Sequence, residues 1–403
     1  MSPNAPSPLI PPGSTIAALK KLTYSDEAAQ ALREKYPNTT VENLNTIEQV
    51  VASIQQGWYV VLPIESYVAG PVGKHRDLLL QGQGKIIAEV NVGVAIYPGG
   101  AHAGALSTAR SAASHPKGIE QCSRFLAAHP HIEGRQFCDS TADAAEIVGN
   151  RVKQYQDETV IALASKPALL ANDLTLLTDQ SVSDFPGGGT QMYVLQKNGS
   201  EALPRSGARF HALDLRPENQ PRVLAHILHA IARNRLDLRS LHSYPRGKDA
   251  DGKDQHGFFM ELFDESGTAR LHIMQSTLEV MRAHPSVQWL GSWDEALEVG
   301  ELSTEAEPDY PDQLITQGSL DVTKPEISVR LVLKNRPGVL ADVLQLFHYA
   351  GMDLTLLQSY SLGRKRYGFS VTMRPLKPCT EETGRELMAE LSMHRDLASL
   401  EWL

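Results

Sequence analysis

The sequence predicts an α/β protein. Its N-terminal module is expected to hold a two-lobed, doubly wound sheet, and two small α+β modules of order βαββαβ are expected to follow. Three observations lead to this: strand and helix patterns alternate from residue 46 to 195, a segment repeats at an offset of 335 − 219 = 116 residues, and the composition shifts at two joints. The expected organisation is a disordered tail over 1–13, modules over 14–198, 208–293 and 326–403, and an acidic solvated linker over 294–325.

The composition argues against several classes of function. The chain has 403 residues, a formal net charge of −9 and three cysteines without metal-like or disulfide-like spacing. This balance argues against a general affinity for nucleic acid, and few cysteines suit a reducing compartment. No apolar run approaches the length of a membrane span, and the proline-rich N-terminus does not read as a signal peptide. We therefore expect a cytoplasmic protein with no metal, no cofactor, and no nucleic-acid or membrane partner.

The helix–strand alternation begins at Thr46, which is expected to cap a helix with an apolar face that ends at Gly57. A buried strand over Trp58–Leu62 follows, and a later helix is expected to begin at Ser140 and Thr141. Strand–helix units in series predict a mostly parallel sheet, and polar helix starts at strand ends form corners that bind anions.

The internal repeat is the strongest signal in the sequence. It aligns residues 219–247 with residues 335–363 without a gap. In the first copy the identical positions are Asn219, Pro221, Val223, Leu224, Ala225, Leu228, Asp237, Leu238, Leu241, Ser243, Tyr244 and Gly247. In each copy an alternating strand precedes a proline, placed where it would open a helix, and an apolar helical stripe. The repeat therefore predicts two modules of the same fold.

The repeated segments resemble ACT domains, because Asn335-Arg336-Pro337-Gly338-Val339-Leu340 has the Asn-Arg-Pro-Gly-x-Leu signature of that family. The resemblance implies modules that pair edge to edge and bind a small effector, commonly an amino acid, at the seam. The first copy has Arg222 in place of Gly338, so the site of the second copy is the stronger candidate. A purely structural pairing role is the other interpretation. The candidate effector-binding residues are Asn335, Pro337, Gly338, Val339, Leu340, Asn219, Val223, Leu224, Ser243, Tyr244, Ser359 and Tyr360.

The N-terminal module resembles prephenate dehydratase from about Leu22 to Leu195. The motifs that carry the resemblance are Leu62-Pro-Ile-Glu65, Ser114-His115-Pro116, Ser140-Thr141-Ala142-Asp143-Ala144-Ala145, Ile161-Ala162 and Thr190-Gln191-Met192. The resemblance implies a fold like that of periplasmic binding proteins, with Thr190 as the catalytic hydroxyl that donates a hydrogen bond to the leaving group. The candidate substrate-binding residues are Glu65, Ser66, Ser114, His115, Ser140, Thr141 and Gln191. For His115 a capping or packing role is the favoured interpretation.

Three motifs depart from the family pattern. The glycine-rich opening is replaced by Leu19-Lys-Lys-Leu-Thr-Tyr24, Glu-Asn-Ser becomes Glu65-Ser66-Tyr67, and Thr-Arg-Phe becomes Thr190-Gln191-Met192. An arginine would clamp a carboxylate with two hydrogen bonds, so Gln191 predicts weaker binding of a dianion. Lys20 and Lys21 could supply compensating charge, but they are expected to be solvated lysines on a helix face.

The favoured function is a prephenate dehydratase-type lyase in aromatic amino-acid biosynthesis, regulated by an amino acid such as phenylalanine. One alternative is a diverged prephenate decarboxylase that does not aromatise the ring, and the other is an amino-acid sensor without catalysis. The expected partners are a small dicarboxylate substrate and an amino-acid effector. A homo-oligomer is expected, and pairing of the two ACT copies within one chain is the other arrangement considered.

Overall fold

The computed structural model forms two compact units. The first comprises Met1–Lys197 and Ala296–Thr304, and the second comprises Asn198–Glu295 and Glu305–Leu403. The structure describes residues 9–67, 70–82, 84–185, 187–199, 207–217, 223–248, 252, 254–265, 267, 272, 276, 286–300, 302, 314–321, 323–334, 338–361, 367–376 and 380–403. Among these residues, no helix is long and apolar enough to cross a membrane.

The first unit alternates strands and helices, as its sequence pattern predicts. Its strands are β1 (Thr15–Leu19), β2 (Thr40–Leu44), β3 (Tyr59–Ser66), β4 (Gly70–Pro71), β5 (Gly84–Gly93), β6 (Tyr97–Gly100), β7 (Ser111–Ser114), β8 (Gly134–Phe137), β9 (Val160–Ala164), β10 (Thr175–Leu176), β11 (Gly189–Lys197) and β16 (Ala296–Val299). Its helices are α1 (Tyr24–Lys35), α2 (Ile47–Ala52), α3 (Gly73–Leu80), α4 (Ala105–Thr108), α5 (Pro116–Glu120), α6 (Ser123–Ala128), α7 (Thr141–Tyr155) and α8 (Lys166–Ala171). The predicted cap at Thr46 is confirmed, because its side chain and that of Gln49 form a capping box at the start of α2.

Two sheets give this unit two lobes. In lobe 1 the strand order is β2-β1-β3-β11-β5, and β16 pairs with β5. Strands β1, β3 and β5 run in one direction, whereas β11 is antiparallel to both β3 and β5. The start of β11 therefore lies at the edge of the sheet where β1, β3 and β5 end. In lobe 2 the order is β10-β6-β9-β7-β8, with β7 parallel to both β8 and β9. The predicted two-lobed α/β fold is confirmed.

The second unit contains both repeats. The strands are β12 (Phe210–Arg216), β13 (Asp237–Lys248), β14 (Asp254–Phe263), β15 (Ser286–Trp293), β17 (Ile315–Gln317), β18 (Ile327–Leu333), β19 (Met352–Ser361), β20 (Tyr367–Pro375) and β21 (Leu397–Trp402). The helices are α9 (Val223–Arg233), α10 (Val339–Tyr349) and α11 (Glu381–Met393). The second helix predicted for the first copy lies outside the described residues.

The two modules of the repeat, called ACT modules after the family that their motif resembles, pair within one chain. The strand order is β17-β21-β18-β20-β19-β13-β14-β12-β15, so the modules meet edge to edge at β19 and β13. Helices α9 and α10 pack with both modules in one apolar core. Across the seam, the backbone N–H of Leu357 donates to Ser243 Oγ at 2.8 Å, and that of Leu241 donates to Ser359 Oγ at 3.0 Å. Because Ser243 and Ser359 are equivalent positions of the repeat, the seam has approximate two-fold symmetry.

Three local predictions were wrong. The predicted tail over 1–13 includes Ile10, which is only 1% exposed and packs in the core of lobe 1. The predicted linker over 294–325 includes β16, paired with β5, and β17, paired with β21. Helix α10 begins at Val339 with Gly338 as its N-cap, so it does not open at Pro337. The module boundaries 14–198, 208–293 and 326–403 stay predictions.

Candidate active site

The predicted catalytic threonine lies at the edge of lobe 1 where the parallel strands end. Thr190 is paired with Ser66 on β3 and with Val92 on β5, so these three side chains share one face of the sheet. Val92 packs in the same core as Ala28 of α1, which identifies this face as the one that α1 covers. Thr190 and Ser66 are both half-buried. Two neighbouring hydroxyls are thus presented at the edge where open α/β sheets bind their ligands.

Gln191 lies on the opposite face of the sheet. It is paired with Glu65 and with Asn91, and all three are buried, with Gln191 only 3% exposed. The Asn91 amide donates to Glu298 Oε1 at 3.2 Å, which extends this polar row to β16. Adjacent residues of a strand point to opposite faces, so the structure does not place Gln191 or Glu65 beside Thr190. The substrate-binding predictions for Gln191 and Glu65 are therefore not supported.

The turn between β1 and α1 replaces the glycine-rich opening of the family. Leu22 adopts φ 65°, a left-handed conformation that is unusual for leucine. Asp26 holds this turn, because its carboxylate accepts from Leu22 N at 2.8 Å and from the Asn43 amide at 3.0 Å. The same amide donates to Leu19 O at 2.7 Å. Hydrogen bonds from Asp26 on α1 and Asn43 on β2 thus stabilise this turn, although it contains no glycine.

Lys20 connects the two lobes. Its ammonium lies 3.0 Å from Asp143 Oδ1, in the first turn of α7, and this ion pair raises the pKa of Lys20. Ser140 caps α7 by accepting from Asp143 N at 3.0 Å and donating to Asp143 Oδ2 at 2.9 Å. Thr141 is the first residue of the helix and is half-buried. The prediction that Lys20 lies on a helix face was wrong, because the residue precedes α1. Its side chain is 43% exposed and faces the Asp143 carboxylate at the start of α7.

Ser114 and His115 have structural roles at the end of β7. Ser114 is fully buried and donates to Leu163 O at 2.7 Å, so its hydroxyl is not available to a substrate. His115 is the N-cap of α5, where Nδ1 accepts from Lys117 N at 3.2 Å, and burial lowers the pKa of His115. The favoured capping role of His115 is confirmed, whereas the substrate-binding prediction for Ser114 is not supported.

A comparison with protein families matches this module. Residues 19–200 match the family model of prephenate dehydratase. Residues 19–200 form a prephenate dehydratase-like domain. The bifunctional chorismate mutase/prephenate dehydratase of Buchnera aphidicola subsp. Acyrthosiphon pisum is 30% identical over 181 residues, which cover 44% of this chain and 46% of that protein. Arogenate dehydratase/prephenate dehydratase 6, chloroplastic, of Arabidopsis thaliana is 26% identical over 287 residues, covering 67% and 66%.

The chain spans about half the length of the curated relatives it matches, with shares of 46%, 37% and 55% for three of them. Two solved structures have the same fold over 70% of this chain, each with a TM-score of 0.57. One is GqqA, described as a novel type of quorum quenching acylase, with 24% identity and 97% of its chain covered. The other is prephenate dehydratase from Arthrobacter aurescens in complex with L-Phe, with 19% identity and 90% covered. At these identities the structures establish the fold alone.

The prephenate dehydratase-like domain also contains two partly buried ionisable groups that the sequence analysis did not identify. The Tyr24 hydroxyl donates to Ala95 O at 3.3 Å, and burial raises the pKa of Tyr24. Burial, and then the neighbouring Asp26 carboxylate, raises the pKa of Glu27 to about 7, although a hydrogen bond with Ser165 opposes this. Ser165 caps α8 of lobe 2, so the contact joins the lobes. The sequence signal that could have identified this pair is its spacing. Glu27 follows Tyr24 by three residues, which places both side chains on the same side of α1.

Glu27 should make the stability of the domain depend on pH. The folded state binds the Glu27 proton more tightly than the unfolded chain, so stability present below about pH 4.5 is lost as the pH rises towards 7. Glu27→Gln is expected to match the wild type at pH 4 and to raise the free energy of unfolding at pH 8 by roughly 1–3 kcal/mol. Urea denaturation at both pH values measures this. The control is Glu34→Gln, which changes an exposed carboxylate of the same helix. Equal effects of the two variants at pH 8 would contradict the assignment.

The residues predicted to bind an effector have different positions in the ACT pair. Asn219, Asn335 and Pro337 lie outside the described residues, as does the side chain of Tyr360. Leu224, Val339 and Leu340 are buried in the core that both modules share, and Val223 packs against it, so these residues have packing roles. Gly338 has φ 92°, and a Cβ placed there would lie 3.4 Å from Cβ of Ala232 on α9. This position, at the start of α10, therefore lies at the seam.

Three other effector predictions are not supported. Ser243 and Ser359 are buried, and their hydroxyls accept backbone N–H groups across the seam. The Tyr244 hydroxyl donates to the buried Asp214 carboxylate, which also pairs with Arg216 Nε at 2.7 Å. Burial, and then this hydrogen bond, raises the pKa of Tyr244. Among the predicted effector residues that the structure describes, Gly338 lies at the seam and has no side chain that would occupy a ligand site there.

Proposed function

We propose that this chain is a lyase of the prephenate dehydratase type, which converts prephenate into phenylpyruvate, CO2 and water. The observation that carries the proposal is the position of Thr190. Its half-buried hydroxyl lies beside that of Ser66 at the ligand-binding edge of a domain that matches the prephenate dehydratase model. Two named relatives, from Buchnera aphidicola and Arabidopsis thaliana, support the same class of reaction.

The proposed chemistry requires a hydrogen-bond donor for the leaving group. The C–C bond to the ring carboxylate breaks, its electron pair enters the ring, and the C–O bond to the ring hydroxyl breaks as the ring becomes aromatic. The departing oxygen takes a proton and leaves as water, and the carboxylate leaves as CO2. A donor aimed at the oxygen as it gains charge stabilises the transition state more than the ground state. In this proposal Thr190 is that donor.

Lys20 is proposed to supply positive charge to the substrate. Prephenate carries two carboxylates, and the arginine of the family motif is replaced by a buried glutamine. Lys20 is 43% exposed and reaches the start of α7, where backbone N–H groups also favour an anion. Asp143 occupies this position in the structure, so a substrate carboxylate would compete with Asp143 for Lys20. Ser140 and Thr141 belong to the same corner of the proposed site.

The ACT pair is proposed to bind an amino acid such as phenylalanine and to regulate the lyase. Gly338 lies at the seam and begins an 11-residue helix, whose N-terminus favours a carboxylate. The solved Arthrobacter aurescens protein of the same fold is a complex with L-Phe. Since the first copy has Arg222 at the equivalent position, we propose that the second copy supplies the effector site.

A substrate panel tests the proposed lyase. Purified full-length chain is incubated near neutral pH with prephenate or with arogenate, each with and without phenylalanine. Consumption of either substrate with release of phenylpyruvate or phenylalanine is the expected result, and added phenylalanine is expected to slow the consumption of prephenate. If neither substrate is consumed while phenylalanine binds, the protein is better described as an amino-acid sensor.

A further inference from the structure

Strand β16 belongs to lobe 1, although it follows the first ACT module in the chain. It pairs in parallel with β5 through Ala296↔Glu89, Leu297↔Val90, Glu298↔Asn91 and Val299↔Val92. The family match ends at residue 200, so this strand lies outside the segment that defines the prephenate dehydratase-like domain. Lobe 1 is therefore completed by residues from a distant part of the chain.

Both faces of β16 are built into the lobe. Leu297 and Val299 pack against the apolar core that contains Val92 and Met192, on the α1 side of the sheet. Glu298 points to the other side, where its carboxylate accepts from the Asn91 amide at 3.2 Å. Since Asn91 is paired with Gln191, β16 joins the polar row that passes directly behind Thr190.

Leu302 lies against the backbone next to the proposed catalytic residue. A Cβ placed on Gly189 would be 2.5 Å from Leu302 Cδ2, 3.0 Å from Val92 O and 3.1 Å from Tyr67 Cδ2. Gly189 is buried, and its carbonyl accepts from Tyr67 N at 2.8 Å. Only a glycine leaves room for this contact, and Gly189 immediately precedes Thr190.

The start of β11 needs such support because of its sequence. Gly187, Gly188 and Gly189 precede Thr190, and three successive glycines give the backbone more freedom than any other residues would. A displacement of about 1 Å at a reacting group can cost on the order of 10²-fold in rate. The Leu302 side chain packs against Gly189 and occupies the space into which this backbone could otherwise move.

We propose that Leu302 is a positioning residue for Thr190 and that Glu298 holds β16, and with it Leu302, in place. This inference rests on the proposed function for its effect on catalysis, but not for its effect on the backbone.

Leu302→Ala tests the inference, with Leu302→Met as the matched variant that keeps most of the side-chain volume. In the full-length chain, amide hydrogen exchange over residues 189–192 is expected to become ~10-fold faster or more in Leu302→Ala and to stay near wild type in Leu302→Met. Exchange in β3 over residues 59–64 reports whether the lobe remains folded. With prephenate, kcat is expected to fall ~10-fold or more in Leu302→Ala, while KM changes ~3-fold or less.

The outcomes separate this inference from the proposed function. Unchanged exchange over 189–192 in Leu302→Ala would overturn the inference, whether or not kcat fell. Faster exchange without any loss of kcat, in a chain that consumes prephenate, would also overturn it. Faster exchange in a chain whose wild type does not consume prephenate would support the positioning role and reject the lyase. Glu298→Gln, which keeps a side-chain oxygen, is expected to resemble the wild type, whereas Glu298→Ala is expected to resemble Leu302→Ala.

Discussion

Replacing Thr190 with alanine is expected to lower kcat for prephenate by about 10²–10³-fold, because it removes a single hydrogen-bond donor to the departing oxygen. KM is expected to change little, since the hydrogen bond strengthens mainly as negative charge develops on that oxygen. Steady-state kinetics with CO2 release and phenylpyruvate absorbance as readouts measure both constants. The structure favours a local effect, because Thr190 is half-buried at the start of a strand.

Two control variants sharpen this result. Thr190→Ser keeps the hydroxyl and is expected to retain most of the activity. Ser66→Ala removes the neighbouring hydroxyl on the same face, and a smaller loss is expected because the family motif assigns the donor to Thr190. A Thr190→Ala variant with wild-type kcat would contradict the proposed mechanism, even if the protein consumed prephenate.

The double substitution Ser243→Ala and Ser359→Ala is expected to lower the free energy of unfolding of the second unit, which contains both ACT modules, by about 2–6 kcal/mol. Each serine accepts a buried backbone N–H from the opposite module, at 2.8 Å for Leu357 and 3.0 Å for Leu241. A buried donor without an acceptor costs about 1–3 kcal/mol, and alanine leaves the backbone N–H at each site without its hydroxyl acceptor. Urea denaturation followed by circular dichroism measures the loss.

The expected loss of stability depends on the location of the two serines at the seam, so a serine away from the seam is the control. Ser328 makes its hydrogen bond with Thr372 within the second module, and Ser328→Ala is expected to cost much less. Singly, Ser359→Ala is expected to cost more than Ser243→Ala, because it also removes the hydrogen bond between Ser359 Oγ and His242 Nε2 at 3.1 Å. A double variant as stable as Ser328→Ala would contradict the idea that these hydroxyls hold the modules together.

Much of the fold could be predicted because local patterns and tertiary contacts agree. The stripe of Ile227, Leu228 and Ile231 is buried as its helical spacing predicts, and the repeat identified a second module with the same core. Strand β16 was missed because it is short and lies beside an acidic, proline-containing stretch. Its pairing with β5 depends on contacts more than 200 positions away along the chain, which periodicity does not report.

The candidate site was only partly predictable for related reasons. Motif order predicted Thr190, Ser66, Ser140 and Thr141 as site residues, and all four lie where parallel strands of their sheets end. It could not distinguish the two faces of β11 or predict the burial of Ser114. The ion pair between Lys20 and Asp143 joins positions that are 123 residues apart in the sequence, and no local pattern predicts it. In the ACT pair, serines at an equivalent position of the repeat were interpreted as ligand groups, whereas they hold the seam.

The ratio of CO2 to phenylpyruvate formed from prephenate tests the central claim most directly. The wild-type chain is expected to release the two products in equal amounts throughout the reaction, because loss of the carboxylate and of the hydroxyl are coupled by aromatisation. Release of CO2 without an aromatic product would contradict the dehydratase assignment. The prephenate dehydratase-like domain would then be a decarboxylase that leaves the ring hydroxyl in place.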